Sequence, residues 1–351
     1  MRIARLALRT IPPLYRSAQR AYLRRRTANA LRPLAEPDAV AFRPGERVIL
    51  LDSFWGGSSA VTAARRASED RAKLVIAVYD MIPVTHPQFC DEYLVREFRR
   101  SMTAVLSVSV GIVAISKEAA GDATIFARSK GHDVPAAHFY LGADLGGADQ
   151  QREPSPDRFP AELWQGNGRV HLMVGTIEPR KGHATVLDAF DLLWRQGRPD
   201  KLLIIGKIGW QVEKLMARFA SHPQLGRRLF LVHDGDDEML RIAFARAQAS
   251  IMASSIEGFG LPLIEALDRE LPVIASDIAV FHELAGDAAL YFRLDDPGDL
   301  AERIVYLESY ADEYRERARR FTWLSWAQSA QQLHHAIDVV TAESAGAAEE
   351  D

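Results

Sequence analysis

Residues 254–267 read SSIEGFGLPLIEAL, and their order of residue types decides the fold class. The run follows ASIMAS (249–254), a short apolar stretch with the look of a buried strand, and opens a helical pattern over about 261–269. Strand, glycine turn and helix in that order form the repeating unit of a parallel α/β sheet. Gly258 and Gly260 allow the main chain to approach a ligand closely, and Pro262 suits a first helical turn. Free N–H groups at such a helix start attract a phosphate or sugar oxygen. Glu257 precedes the turn, and Glu265 lies eight positions later inside the helix. A carboxylate accepts hydrogen bonds from two neighbouring hydroxyls. Two carboxylates flanking an anion-binding turn therefore suit a ligand with hydroxyls at both ends of a diphosphate, which describes a sugar nucleotide. A tight turn with two solvated glutamates accounts for the glycine pair alone, but not for the whole run.

Upstream, VGTIEPRKGHATVLDAF (174–190) repeats the strand, loop and helix pattern. Gly175 ends the strand, and Arg180 and Lys181 stand in the loop before Gly182. Arginine bridges two phosphate oxygens and lysine adds a point charge, so the pair can stabilise a departing diphosphate without a metal. In isolation the same residues would read as a loop made soluble by charge. Further out, apolar runs at 169–175, 201–206, 228–234 and 271–276 alternate with helical patterns at about 182–196 and 236–247. Before them come RVILLD (47–52), KLVIAVYD (73–80), VGIVAIS (110–116) and AHFYL (137–141), which predict only about four strands for the first half. A polar stretch between the halves, 146–168, predicts a linker. Two doubly wound domains, 44–145 and 169–322, would then face each other across a cleft at the carboxyl ends of their strands.

The 351 residues and net charge of −4 fit such a two-domain chain and do not indicate a nucleic-acid partner. A single cysteine, Cys90, excludes an internal disulfide framework and fits a reducing, cytoplasmic setting. The first 35 residues hold nine arginines and no acid, with Leu6, Leu8, Ile11, Leu14, Tyr15, Tyr22 and Leu23 between them. Such an arm, 1–43, suits an anionic membrane surface, although a solvated or targeting segment has the same composition. No stretch of about 18 apolar residues predicts a membrane span. The acidic, Ala-rich end, 342–351, predicts a disordered tail.

The pair VGTIEPRKG and EGFGLPLIEAL, with DDEMLRIAFARAQASIMAS (236–254) between them, closely resembles the donor domain of retaining glycosyltransferases of family four. The resemblance implies the GT-B fold: two Rossmann-like α/β domains facing a cleft, here with an abbreviated N-terminal domain. It implies that 44–145 serves the acceptor, that 169–322 binds the nucleotide-sugar donor, and that a terminal helix (323–341) packs back across the cleft. Two glutamates separated by seven residues are a hallmark of the family. By resemblance Glu265 holds the ribose hydroxyls, Glu257 the transferred sugar, and Arg180 and Lys181 the diphosphate. Gly175 and the main chain through Gly258, Phe259, Gly260, Leu261 and Pro262 would line the donor site.

In the first half, VYDMIPVTHP (78–87) resembles the family's His-Asp-Leu-x-Pro loop, with Asp80 and Pro83 in place and Tyr79 where the histidine usually stands. His86 is the candidate for an acceptor or donor-sugar contact, and a packed or surface imidazole is the alternative. Ser116 resembles the family's strand-end serine, as a helix cap, a cleft hydroxyl or both. Gly142 and Asp144 read as turn formers, and Gly56-Gly57 as the paired glycines of an acceptor site. DGDDE (234–238) reads as capping and solvation rather than a metal cluster. The EPRK spelling leans towards GDP-mannose as donor and a glycan or lipid-linked acceptor in bacterial surface polysaccharide assembly, at the inner face of the cell membrane. A sugar-nucleotide epimerase or an inactive sugar-nucleotide-binding relative would share this architecture. A nicotinamide oxidoreductase would need a Gly-x-Gly-x-x-Gly after an early strand, which the chain lacks.

Overall fold

The computed structural model describes residues 41–55, 58–143 and 158–347. Nearly all of the basic arm, the Gly56-Gly57 pair, Asp144, most of the expected linker and residues 348–351 lie outside the described residues.

Two wholly parallel sheets organise the chain. The first has β1 (Arg47–Leu50), β2 (Lys73–Val78), β3 (Gly111–Ala114) and β4 (Ala136–His138) in the order β1-β2-β3-β4. Helices α1 (Ser58–Glu69), α2 (Ile82–Thr85), α3 (Glu92–Leu106) and α4 (Lys117–Ser129) connect these strands. The described residues of this sheet thus give the short four-stranded unit that the sequence predicts. The strands β2 and β3 are buried almost throughout because helices cover both faces, which explains their unbroken Val, Ile, Leu and Ala composition.

The second sheet has six strands: β5 (Val170–Val174), β6 (Lys201–Ile205), β7 (Leu229–Val232), β8 (Ala249–Met252), β9 (Val273–Ser276) and β10 (Ala289–Phe292). Their order is β10-β9-β8-β5-β6-β7. Strand β10 adds an edge that the sequence pattern did not single out, because ALYF is short and follows a Gly-Asp turn. Around this sheet lie α5 (Ala161–Trp164), α6 (His183–Arg195), α7 (Glu213–Ala220), α8 (Asp237–Arg246), α9 (Leu261–Asp268), α10 (Ala279–Ala285) and α11 (Pro297–Arg320).

The described end of the expected linker, from Arg158, is not a free tether. Phe159 and Leu163 are buried in the same apolar cluster as β5, and their rings and methyls outweigh the polar residues around them. The last helix, α12 (Trp326–Ala347), returns to the first sheet, where a Cβ on Gly111 would lie 2.4 Å from the Val340 side chain. It also runs six residues beyond Thr341, where the composition alone predicts the start of a disordered tail; the residues before that point, Ala336, Ile337 and Val340, anchor it in the core. Among the described residues no helix is long and apolar enough to cross a membrane.

Candidate functional site

Strands β5 and β8 are neighbours at the middle of the second sheet, pairing His171 with Ala249 and Leu172 with Ser250. On either side of this pair the chain winds outward in opposite directions, which opens a crevice beyond the strands' carboxyl ends. The two most informative sequence runs supply the two loops at that crevice. After β5, residues Pro179–Lys181 form a single 3-10 turn, and Gly182 takes φ 68° to start α6. A Cβ on Gly182 would lie 2.0 Å from the carbonyl oxygen of Ala253, so only glycine lets the β5 loop lie against the end of β8. The amide of Ser255 donates to the carbonyl of Arg180 at 2.8 Å and fixes the contact.

This seam brings charges together. Arg180 Nη1 donates to Glu257 Oε2 at 2.6 Å and to the Ile256 carbonyl at 3.1 Å, while Nη2 pairs with Glu178 Oε1 at 2.7 Å. Lys181 Nζ donates to the other Glu257 oxygen, which also accepts from Ser254 Oγ at 2.6 Å. Burial pushes the Glu257 carboxyl up, but the adjacent Lys181 and Arg180 outweigh it and hold the group below the ordinary glutamate range. Glu178, only 2% exposed, is pushed up by burial despite the same two cations. Asp80 is raised by burial as well, with Arg180 pulling the other way. One ionised carboxylate thus holds an arginine and a lysine at the mouth of the crevice, and both cations retain a partly open face.

Beyond Glu257, Gly260 caps α9 with φ 120°, and Pro262 occupies the first turn. No side chain caps this helix; Pro262 has no N–H and the Leu263 amide donates to the Gly260 carbonyl at 2.9 Å, which leaves the Leu261 N–H as the leading donor without a side-chain acceptor. The Phe259 side chain turns inward, 4% exposed, against Tyr140 and Trp323, which leaves only its main chain for a ligand. Leu261 and Pro262 are half-buried, and Gly175 sits beside the Lys181 stem. Glu265 lies apart from the Glu257 cluster, half-buried on α9 near Arg269 and Asp237, and burial raises its pKa. Its carboxylate takes no hydrogen bond or ion pair among the described residues.

The first sheet closes the other side. A Cβ on Gly258 would lie 2.1 Å from the Tyr79 carbonyl oxygen, so the glycine turn rests directly on the loop after β2. Ser116 fills both roles that its position suggests: Oγ accepts from the Ala119 amide to cap α4 and donates to the Gly258 carbonyl at 2.8 Å. His86 is not brought to the cationic cluster. Its ring meets Thr85 Oγ1 at 3.1 Å, lies nearly parallel to Phe89 and interacts with the charge of Asp122. Asp236 of the acidic run caps α8 by accepting from Met239, and Arg158 pairs with Asp236 and Glu238. Sequence reasoning missed Glu178 and Ser254 as partners in the cluster, although both stand within the two quoted runs. It also missed Trp210, whose indole donates to the Phe89 carbonyl across the crevice at 2.8 Å, and nothing in its neighbourhood in the sequence marks it.

A model of the family "Glycosyl transferases group 1" matches residues 155–322. The serotype-specific mannosyltransferase WbdA of Escherichia coli is 37% identical over 271 residues, which is 75% of this chain and 33% of that protein. The O-antigen chain mannosyltransferase B of the same species is 33% identical over 171 residues, 46% of this chain and 43% of that one. The chain spans about a third of the length of the first of these relatives. Among solved structures, Anabaena Alr3699/HepE in complex with UDP superposes with a TM-score of 0.59 at 16% identity, covering 87% of this chain and 79% of that one. An alpha,alpha-trehalose-phosphate synthase (UDP-forming) from Burkholderia xenovorans gives 0.61 at 16% identity, covering 83% and 70%. The fold is that of the GT-B glycosyltransferases.

Proposed function

We propose that this chain, whose residues 155–322 match the group 1 glycosyl transferases, transfers a hexose from a nucleoside diphosphate sugar to a glycan or lipid-linked acceptor. Mannose from GDP-mannose is the favoured donor, in keeping with the mannosyltransferases named among its relatives. The observation that carries the proposal is the Arg180–Glu257–Lys181 cluster at the crevice, one step from the uncapped start of α9.

In this reading the diphosphate lies between the two cations and the Leu261 N–H at the start of α9, and Glu265 takes the ribose hydroxyls. As the bond from the anomeric carbon to the diphosphate breaks, negative charge grows on the leaving oxygen. Arg180 and Lys181, already fixed by Glu257, stabilise that charge without reorganising, the role a divalent cation would otherwise fill. The acceptor hydroxyl attacks the same face of the sugar that the diphosphate leaves, so the anomeric configuration is retained, and its proton passes to the departing phosphate. Positioning two substrates against each other supplies much of the rate. A basic arm at 1–43 would hold the enzyme near a lipid-linked acceptor at the inner membrane face.

The test is calorimetric titration of the folded protein with GDP, UDP, ADP and dTDP, followed by transfer assays with the matching sugar donors. Selective binding of one diphosphate, lost in Glu265→Ala, with turnover abolished in Lys181→Ala and Glu265→Ala, is the expected result. Near-normal turnover in both variants would refute the site.

A further inference from the structure

Outside the cluster just described, one carboxylate makes an unusual set of contacts. Glu283 belongs to α10 of the second sheet, yet it binds the start of α4 on the first. Its Oε1 accepts from the Lys117 amide at 2.7 Å, and its Oε2 from the Glu118 amide at 3.3 Å. These are two of the N–H groups that a helix leaves without internal partners. The third, from Ala119, is taken by Ser116 Oγ at 3.1 Å. The α4 terminus is therefore capped partly by its own serine and partly by the opposite domain. The Glu283 carboxylate also acts on Tyr140, at the end of the first half, whose hydroxyl is pushed up to about 12 by burial and then by this charge. A charged acceptor at a helix N-terminus is favoured by the aligned peptide dipoles as well as by the hydrogen bonds.

The same helix start touches the donor turn, since Ser116 Oγ donates to the Gly258 carbonyl next to Glu257. Fixing α4 thus fixes Ser116, and Ser116 meets the Gly258 turn that follows Glu257. We propose that Glu283 is a positioning residue: by capping α4 from the opposite domain it holds the first sheet in register with the Glu257–Gly258 turn. The proposal rests on the glycosyltransferase reading for its effect on turnover, but not for the contact itself.

Arg180, Lys181, Glu257 and Glu265 all belong to the second domain, so nucleotide binding should not need the latch, whereas transfer to an acceptor on the first domain should. In Glu283→Ala, affinity for GDP stays within about twofold while kcat falls about tenfold, the size expected for losing charge-assisted hydrogen bonds. Amide hydrogen exchange at Lys117 and Glu118 accelerates by about the same factor, and small-angle scattering shows a larger radius of gyration. Glu283→Gln keeps an acceptor oxygen and restores part of both. Lys117→Pro attacks the contact from the other side without unfolding the helix, because Ser116 is extended (φ −152°, ψ 163°) and proline suits a first helical position. The double variant should be no worse than either single one.

Unchanged exchange at both amides, or accelerated exchange with undiminished kcat, would overturn the proposal. So would a loss of GDP binding as large as the loss of turnover, which would place Glu283 within the donor site. If the parent chain transfers no sugar, the functional reading fails, and exchange and scattering still decide whether Glu283 joins the domains.

Discussion

The contact between Gly258 and the β2 loop makes a quantitative prediction about Gly258→Ala. The added methyl would sit 2.1 Å from the Tyr79 carbonyl oxygen, 2.9 Å from the Asp80 Cβ and 3.1 Å from the Tyr79 carbonyl carbon. Carbon and oxygen atoms settle no closer than about 3.3 Å, so one surface must retreat by about 1 Å. The obstacle is main chain, which cannot swing aside as a flexible side chain would. Overpacking of this kind costs about 1–3 kcal/mol inside one core. Here the two surfaces belong to different sheets, so the strain is released by parting them, and stability changes little. Turnover responds differently, because a misplacement of about 1 Å between reacting groups lowers rate by about 10²-fold. Gly258→Ala is therefore expected to melt within a few degrees of the parent and to lose about 99% of its transfer rate. Steady-state transfer assays beside a thermal melt provide the check. A variant retaining a third or more of the parent rate would show that this closed contact is not the working arrangement.

Gly182→Ala should behave in the opposite way, because its clash, 2.0 Å from the Ala253 carbonyl oxygen, lies inside one domain and its φ of 68° disfavours any side chain. The two penalties sum to about 2–5 kcal/mol, a fall in Tm on the order of 10 °C; a melt matching the parent would contradict this. His183, 1% exposed at the start of α6, is held down to about 4 by burial and then by the charge of Lys181. Its folded pKa lies below its unfolded value of 6.5, so its contribution is complete above about pH 6.5 and is lost as pH falls towards 4. The loss reaches about 2 kcal/mol by pH 5, and urea unfolding at pH 7 and pH 5 should show it shrinking by that amount in His183→Gln. An unchanged pH dependence in that variant would show that His183 does not titrate in this range.

The two strand–loop–helix runs were legible because the needed signals are local. Apolar runs mark buried strands, Gly182 and Gly258 mark close approaches of main chain, and Arg180, Lys181 and Glu257 stand beside them in the same short segments. Both sheets and the two crevice loops therefore follow from residues a few positions apart. Strand β10 escaped because four residues carry too little pattern, and the described end of the linker escaped because two buried side chains, Phe159 and Leu163, decide its packing within a polar stretch.

Who faces whom was decided only by the tertiary structure. That Glu257 sits between Arg180 and Lys181 depends on β5 and β8 becoming neighbours across 76 residues of chain. That His86 stays apart while Ser116, Tyr79 and Glu283 meet across the crevice depends on how two sheets dock. Amino-acid order fixes hydrophobic period, turns and caps, since these act over one or two turns of chain. Long-range pairing of charges depends on packing the whole core, and no local signal in the chain encodes it.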